Sequence, residues 1–323
     1  MKEKNIKLKK LPKTKMNNVT ESYYLDSNLT ISLLIVYSFL SISGNFVVIY
    51  VMTRPKFLKI SLFRFLAVAS FLSILKTTFW ILNSFQDPLG INSSSFNCKI
   101  FYYFCYLPYQ CITWIVVWTG IDRYLSVKYP KKFLVRNKTK FQAFTILIIV
   151  VFHLLNNVPI LFLFDIVSNN CQMISYSFGI VVVIENGFFG TALPGLSMII
   201  LSWMIYRLLI GSKNKIGANK KKEIRLFKTL TSIYSLNLIC NLPYYISYVT
   251  VCILQVNFEA TVFWPIMQYV SSSYSSLDFF IYFMTNRLFR EHCLKTFGIK
   301  CFFLKPKEKN NGRMINNEKQ IGK

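Results

Sequence analysis

The sequence predicts an all-α membrane protein: a seven-transmembrane helix bundle followed by a short amphipathic eighth helix. Three observations predict it. Of the 323 residues 53% are hydrophobic and 17% aromatic, while only 16% are charged; a soluble domain of this length is less apolar. The apolar residues fall in seven runs, at about 29–52, 61–84, 98–127, 141–164, 177–209, 224–254 and 262–284, each long enough to cross hydrocarbon of roughly 30 Å. The lysines lie in short blocks between alternate runs and at both ends. The net charge of +25 therefore reads as cytoplasmic loops, and no nucleic-acid partner is expected.

Taken in order, residues 1–28 form a polar tail with seven lysines between Lys2 and Lys15. It lacks the apolar core and cleavage site of a signal peptide. Asn18 and Asn28 head glycosylation sequons, which matter only if this end is extracellular. The loops argue that it is. Residues 53–60 carry Arg54, Lys56 and Lys59; residues 128–140 carry five lysines and Arg136 without an acid; residues 207–222 carry Arg207 and five lysines. The alternate loops hold Asp87, Asp165 and Glu259. The bias places the N-terminus outside and the C-terminus inside, as expected of a multi-pass protein of the plasma membrane.

The third run ends abruptly in Asp122-Arg123-Tyr124. An arginine at the edge of hydrocarbon is costly unless hydrated or paired, and Asp122 is its local partner. Cys98 and Cys171 both fall on the extracellular side, where a disulfide can persist. Cys105, Cys111, Cys240 and Cys252 read as buried thiols. Cys293 and Cys301 follow the last run on the cytoplasmic side and are either palmitoylation sites or free thiols. Residues 286–297 place Leu288, Phe289, Cys293 and Phe297 on one helical face, suited to a helix lying in the interface. A basic, Asn-rich tail occupies 298–323. It has no serine or threonine, so phosphorylation falls to loop residues such as Ser212 and Thr229.

These features together resemble a rhodopsin-type (class A) G-protein-coupled receptor over roughly residues 29–297. Gly44-Asn45, Leu66-Ala67-Val68-Ala69, Asp122-Arg123-Tyr124, Pro194, Cys240-Asn241-Leu242-Pro243 and Leu277-Asp278-Phe279-Phe280-Ile281-Tyr282 stand in the family's order. Cys98 lies about 38 Å of helix before Arg123, so the two mark opposite membrane faces. The resemblance implies a Cys98–Cys171 disulfide, an eighth helix over 286–297, and a resting latch from Arg123 to Glu223 at the start of span six. It also implies activation by a swing of span six about Pro243, with Asn241, Asp278 and Tyr282 in the relay. The expected partners are an extracellular ligand, a heterotrimeric G protein and membrane lipids, with no cofactor and no enzymatic activity.

Departures from the family pattern mark a divergent member. Ser70 replaces the span-two aspartate that holds sodium, and Ile112 replaces another polar contributor. Asn241 replaces the span-six tryptophan, Phe279 the span-seven proline, and Ser202 the span-five tyrosine. Cys105 stands where aminergic receptors carry an aspartate, and Ser272 where opsins carry a lysine. Exclusion leaves a peptide ligand of the neuropeptide type. Lys76, in the outer half of span two, either receives a carboxylate or snorkels to the interface. Tyr102, Tyr103, Tyr106, Tyr109, Tyr248, Trp264 and Tyr269 either line a peptide pocket or form an aromatic belt. Lys76, Cys105, Tyr109 and Tyr269 are the candidate pocket residues. His153 and Glu185 read as helix–helix hydrogen-bonding groups. Two alternatives stay open: a receptor fold that no longer signals, acting as decoy or heteromer partner, and a seven-span transporter, which the absence of internal repeats disfavours.

Overall fold

The computed structural model describes residues 27–84, 94–129, 139–167, 170–173, 181, 183–211, 218–254 and 263–298. The first span is α1 (Ser27–Met52). A four-residue helix, α2 (Pro55–Leu58), opens with proline, whose fixed φ suits a first helical position, and turns the chain into α3 (Ser61–Ser84). The third span, α4 (Ser95–Lys128), begins at Ser94, whose hydroxyl accepts from the Asn97 N–H at 3.2 Å. It starts three residues before the expected limit and carries Pro108 inside it, a proline the pattern of runs did not bring out.

The fourth run is broken. Helix α5 (Thr139–Asn156) stops short of Pro159, and α6 (Ile160–Leu163) resumes after it. The proline ring has no N–H and clashes with the preceding turn. The expected span 141–164 is thus two helices, although 139–163 still crosses as one apolar unit. A two-stranded antiparallel ribbon follows, β1 (Phe164–Val167) with β2 (Asn170–Met173), pairing Ile166 with Cys171. The all-α reading did not include it. The fifth span starts as a π-helix over Val183–Ala192 and becomes α7 (Leu193–Gly211) at Leu193-Pro194. Pro194 cannot donate to the turn before it, and the wider winding sits there. Thr191 Oγ1 donates to the Asn186 carbonyl five residues back at 3.3 Å. The sixth span is α8 (Ala218–Leu254), six residues longer than expected and holding Pro243 inside it. The seventh is α9 (Phe263–Thr285), and α10 (Arg287–Thr296) follows.

Among the described residues, five segments are apolar enough to cross a membrane by composition alone: 32–52, 61–82, 95–128, 139–163 and 184–210. Helices α8 and α9 have the length, at 37 and 23 residues, but carry more polar groups. Those groups turn inward: Asn237, Asn241, Ser272, Ser275, Ser276 and Asp278 are all buried. Hydropathy counts them against the span, whereas the bundle buries them.

Helix α4 is the axis. It packs against α3, α5, α6, α7, α8, the π-helical segment and β1. Helices α1, α3 and α9 pack together at one side, and α8 packs along α9. Gly44 permits the closest approach of α1 to α9: a Cβ there would lie 3.1 Å from the Phe279 Cβ. Next to it, Asn45 Nδ2 donates to the Ser41 carbonyl at 2.8 Å and across to the Ser275 carbonyl at 3.0 Å. At the Arg123 end a core of Val48, Met52, Phe57, Leu62, Phe63 and Leu66 meets Leu226 and Leu230 of α8 with Tyr282 and Phe289. The opposite faces of α1, α5 and α7 stay apolar and exposed, as at Phe39, Phe144, Leu155 and Trp203; hydrocarbon is the solvent that suits them.

Helix α10 is capped by Asn286, whose side chain accepts from the Phe289 N–H at 3.1 Å. Its buried face is Phe289, Cys293 and Leu294; Phe297, expected on that face, is 54% exposed. Cys293 is 2% exposed within the core, and burial pushes its thiol up to about 11. Of the two readings of Cys293 this burial favours the free thiol, because an acyl transferase needs a thiol it can reach. Thr229 is likewise 1% exposed inside α8 and is no loop phosphoacceptor. Asn18, Ser212, Cys301 and the two tails lie outside the described residues, as does the side chain of Asn28, which falls in the first turn of α1.

The ribbon is tied to α4. Lys99 Nζ lies 3.4 Å from Asp165 Oδ2, and the Ile166 N–H donates to Asp165 Oδ1 at 2.8 Å. The Ser95 hydroxyl, the Ile166 N–H and Lys99 hold the Asp165 carboxyl below its ordinary value of 3.8. A depressed folded value means that the tether is in force above the ordinary value and fails as the pH falls through the folded one. Asp165→Asn should therefore raise hydrogen exchange at the Ile166 and Val167 amides at neutral pH while leaving α4 protected. Wild type and variant should converge well below pH 3.8. In α1, Gly44→Val should cost roughly 1–3 kcal/mol by overpacking. It should lower the melting temperature of the solubilised protein by several degrees; an unchanged melt would contradict the Gly44–Phe279 approach.

Candidate functional site

The charged groups of the spans gather at two levels along α4. At one end Arg123 Nη2 bonds Asp122 Oδ2 at 2.9 Å, with the two side chains only 7% and 9% exposed. Successive residues on a helix point about 100° apart, so the arginine has folded back along the helix to reach its neighbour. This is the local pairing that an arginine at a membrane edge requires. Tyr124 faces outward, where Lys128 Nζ donates to its hydroxyl at 3.0 Å. Glu223 belongs to α8 by its backbone, and its side chain lies outside the described residues. Tyr282 is 2% exposed and packs its ring 5.9 Å from that of Phe289.

Midway, Asn241 and Pro243 lie on α8. Asn241 Nδ2 donates to the carbonyl and the side-chain oxygen of Asn237, each at 2.9 Å, and Ser271 Oγ donates to Asn241 Oδ1 at 2.5 Å. A polar bridge thus joins α8 to α9 two residues from the proline. Asp278 is 5% exposed, and its Oδ1 has no hydrogen-bond partner among the described residues. Lys76 and Asp278 act on one another electrostatically.

At the other level Lys76 turns into the bundle. Its Nζ donates to Ser275 Oγ at 3.4 Å and stands 5.3 Å from the ring centre of Tyr109 and 5.6 Å from that of Tyr274. Ring faces attract an ammonium, more so out of water. Lys76 thus runs into the bundle rather than out to the interface. Cys105, one turn along α4 from Tyr109, is a free thiol within electrostatic reach of Lys76. Tyr109 is 4% exposed; its hydroxyl meets Thr191 Oγ1 at 2.7 Å, and its ring lies 6.0 Å from Tyr245. Tyr269 sits one turn further out, edge-on to Trp80 at 6.0 Å; Trp80 follows Lys76 by one helical turn. Of the four candidate pocket residues, Lys76 supplies the ammonium, Tyr109 and Cys105 lie beside it, and Tyr269 packs edge-on against Trp80. Tyr102 stacks on Phe164 at 3.9 Å, and Tyr103 donates to the Leu154 carbonyl at 2.7 Å, so these two hold structure. The side chains of Tyr248 and Trp264 lie outside the described residues.

Sequence reasoning missed a polar knot centred on Gln110. Gln110 Nε2 donates to Asn186 Oδ1 at 2.9 Å; its Oε1 accepts from Asn157 Nδ2 at 2.7 Å and faces His153 Nδ1 at 2.9 Å. Since Oε1 has no proton, His153 Nδ1 carries the hydrogen and donates. The knot joins α4, α5 and the π-helical segment, and Trp114 Nε1 reinforces it by donating to the Phe189 carbonyl at 2.9 Å. His153 is thus a helix–helix hydrogen-bonding group as expected. Glu185, expected to act likewise, is buried with Oε2 unpartnered among the described residues. A glutamine inside an apolar run was the available signal.

Cys98 is fully buried at the start of α4 and is disulfide-bonded; Cys171 lies on β2 with its side chain outside the described residues. The family model described as 7 transmembrane receptor (rhodopsin family) matches residues 44–282. No curated protein matches the chain.

Gln110→Leu should strand the polar groups of Asn157, His153 and Asn186 and cost roughly 1–3 kcal/mol, read as a lowered melting temperature in detergent. Glu185→Gln, which removes no bond to its Oε2, should melt within a degree or so of wild type. Equal losses for the two variants would overturn the assignment of the knot.

Proposed function

Because the chain belongs to the rhodopsin family of seven-transmembrane receptors, we propose that it binds an extracellular peptide and activates a heterotrimeric G protein. The buried Asp122–Arg123 pair is the observation that carries the signalling part. A cation held at the end of the central helix, at 7% exposure, is a group that a conformational change can release.

In the resting state Asp122 holds Arg123 locally, and Glu223, near the start of α8, completes the latch across to the sixth span. A desolvated ion pair of this kind is worth a few kcal/mol at most. That suits a two-state device, since about 5.5 kcal/mol shifts an equilibrium from 1:99 to 99:1. Ligand on the outside favours an outward swing of α8 about Pro243, whose missing N–H weakens the helix there. The Asn241–Ser271 bridge and Asp278 lie on the route between the two levels. Arg123, released, then meets the G protein among the basic loops.

The ligand end is the aromatic box around Lys76. An ammonium inside the bundle is a receptor for a carboxylate, such as a peptide C-terminus or an acidic side chain. Orientation follows the loop charges: N-terminus outside, with sequons at Asn18 and Asn28, in the plasma membrane. The Cys98–Cys171 disulfide ties the β-ribbon to the mouth, alongside the Lys99–Asp165 pair. A second reading, a receptor fold that has stopped signalling, draws on two substitutions. Asn241 in place of tryptophan bonds α8 to α9, and Phe279 in place of proline leaves α9 an unbroken helix.

Basal G-protein activation in cells, with surface expression matched, separates the two readings. Glu223→Ala should raise the basal signal several-fold and Arg123→Ala should abolish it. Three flat responses at equal surface level would favour the non-signalling fold. In a screen of peptide pools, Lys76→Gln should weaken an active peptide at least tenfold. Amidating that peptide's C-terminus should cost wild type the same and the variant little.

A further inference from the structure

Glu185 lies in the first turn of the π-helical segment at 8% exposure, and its Oε2 has no hydrogen-bond partner among the described residues. A carboxylate taken out of water without a partner is costly. The winding of the segment puts it there. A π-helix bonds residues five apart and brings consecutive residues closer in angle than an α-helix does, so Glu185 and Asn186 are both buried. Asn186 bonds Gln110 and is absorbed by the polar knot; Glu185 is not. Five residues on, on the same face, Gly190 meets α4: a Cβ there would lie 3.3 Å from Tyr109 Cε1 and 3.6 Å from Gln110 Cγ. Glu185 thus stands one turn nearer the start of the span, on the side of the segment that meets Tyr109 and Gln110.

The spans bring it no counter-charge. No lysine or arginine occurs between Lys140 and Arg207, so neither the fourth nor the fifth span supplies a cation. His153, the histidine of that stretch, gives its Nδ1 hydrogen to Gln110 Oε1 at 2.9 Å. The sixth and seventh spans have none from residue 229 to 286, and between Arg64 and Arg123 the basic residues are Lys76 and Lys99. Lys99 pairs with Asp165 at 3.4 Å. Lys76 donates to Ser275 and interacts with Asp278, on the α9 side of Tyr109. A single carboxylate offers too few ligands for a metal ion, and among the described residues no three His, Cys, Asp or Glu side chains gather to supply a site. The counter-charge that fits is an organic cation.

We propose that Glu185 receives a basic group of the ligand, a guanidinium or an ammonium, while Lys76 receives its carboxylate. This deepens the peptide reading and rests on it. The two charges lie on opposite sides of Tyr109. Its ring centre stands 5.3 Å from Lys76 Nζ, and its hydroxyl meets Thr191 of the π-helical segment at 2.7 Å. A gap of about one tyrosine side chain suits a basic residue carrying its own terminal carboxylate, or one beside it. The ligand class is therefore a peptide with a free C-terminus and an arginine or lysine at its last or second-last position. A neutral residue there leaves Glu185 buried and unpaired, and an acidic one repels it. Such penalties set specificity more than affinity.

Affinity selection tests this with a defined probe. The purified full chain is equilibrated with a mixed library of hexapeptides, as free acids and as C-terminal amides, and the retained peptides are sequenced by mass spectrometry. Wild type should enrich arginine or lysine at the last two positions roughly tenfold or more over the library. Glu185→Gln, which keeps the shape and drops the charge, should lose that enrichment while still preferring free acids to amides. Lys76→Gln should do the converse, keeping the basic preference and losing the preference for free acids. Asp165→Asn, which removes an acid at the same end of the bundle, should match wild type. Retained peptides without a basic preference in wild type, or with the same preference in Glu185→Gln, would overturn the assignment. If no peptide is retained, n-butylguanidinium at millimolar concentration is the second probe, read by melting temperature. A rise in wild type that is absent in Glu185→Gln would keep the cation site and remove the peptide reading. Equal melts for the two would overturn the cation site itself.

Discussion

Hydrocarbon offers no hydrogen bonds, so each polar side chain within these spans must find its partner inside the bundle. That constraint organises the helices around α4. Gln110 collects Asn157, His153 and Asn186 at one level, and Asp122 collects Arg123 at another. Asn45 reaches from α1 to a carbonyl of α9, and Ser271 bridges to Asn241. Apolar packing fills the space between these ties but gives no preference for one helix neighbour over another, because lipid tails are as apolar as the side chains. The polar ties choose the neighbours.

The same constraint makes the unpaired groups informative. Asp278 and Glu185 each carry a buried oxygen without a partner among the described residues, and Lys76 is held by ring faces and a 3.4 Å contact rather than by a carboxylate. These are costly arrangements, and they fall at the middle and outer levels, where the proposed ligand and relay lie.

Much of the fold was legible in the sequence. The runs at 29–52 and 61–84 are α1 and α3 to within two residues, because length and apolarity decide a span. The Asp122–Arg123 pair was legible because an arginine beside an acid at the edge of an apolar run has one local partner. Where local chemistry and tertiary context diverge, the pattern misled. Pro159 divides the fourth run, and the π-helical turn precedes Pro194; an apolar composition shows neither winding. Phe297 lost its place on the buried face of α10, since a three-to-four spacing narrows a buried face without saying where the neighbouring helices end. Leu294 took the place that Phe297 was expected to hold.

The chain order of apolar runs, loop charges and short motifs by itself determined the class and the family, because the bilayer imposes length and polarity locally on each segment. The tertiary structure alone decided which way Lys76 points, that Gln110 is the centre of a knot, that Cys293 is out of reach, and that two segments 75 residues apart meet as Arg64 and Thr139. Each of these depends on which helix lies beside which. That is settled by contacts between residues distant in sequence, and no local pattern records them.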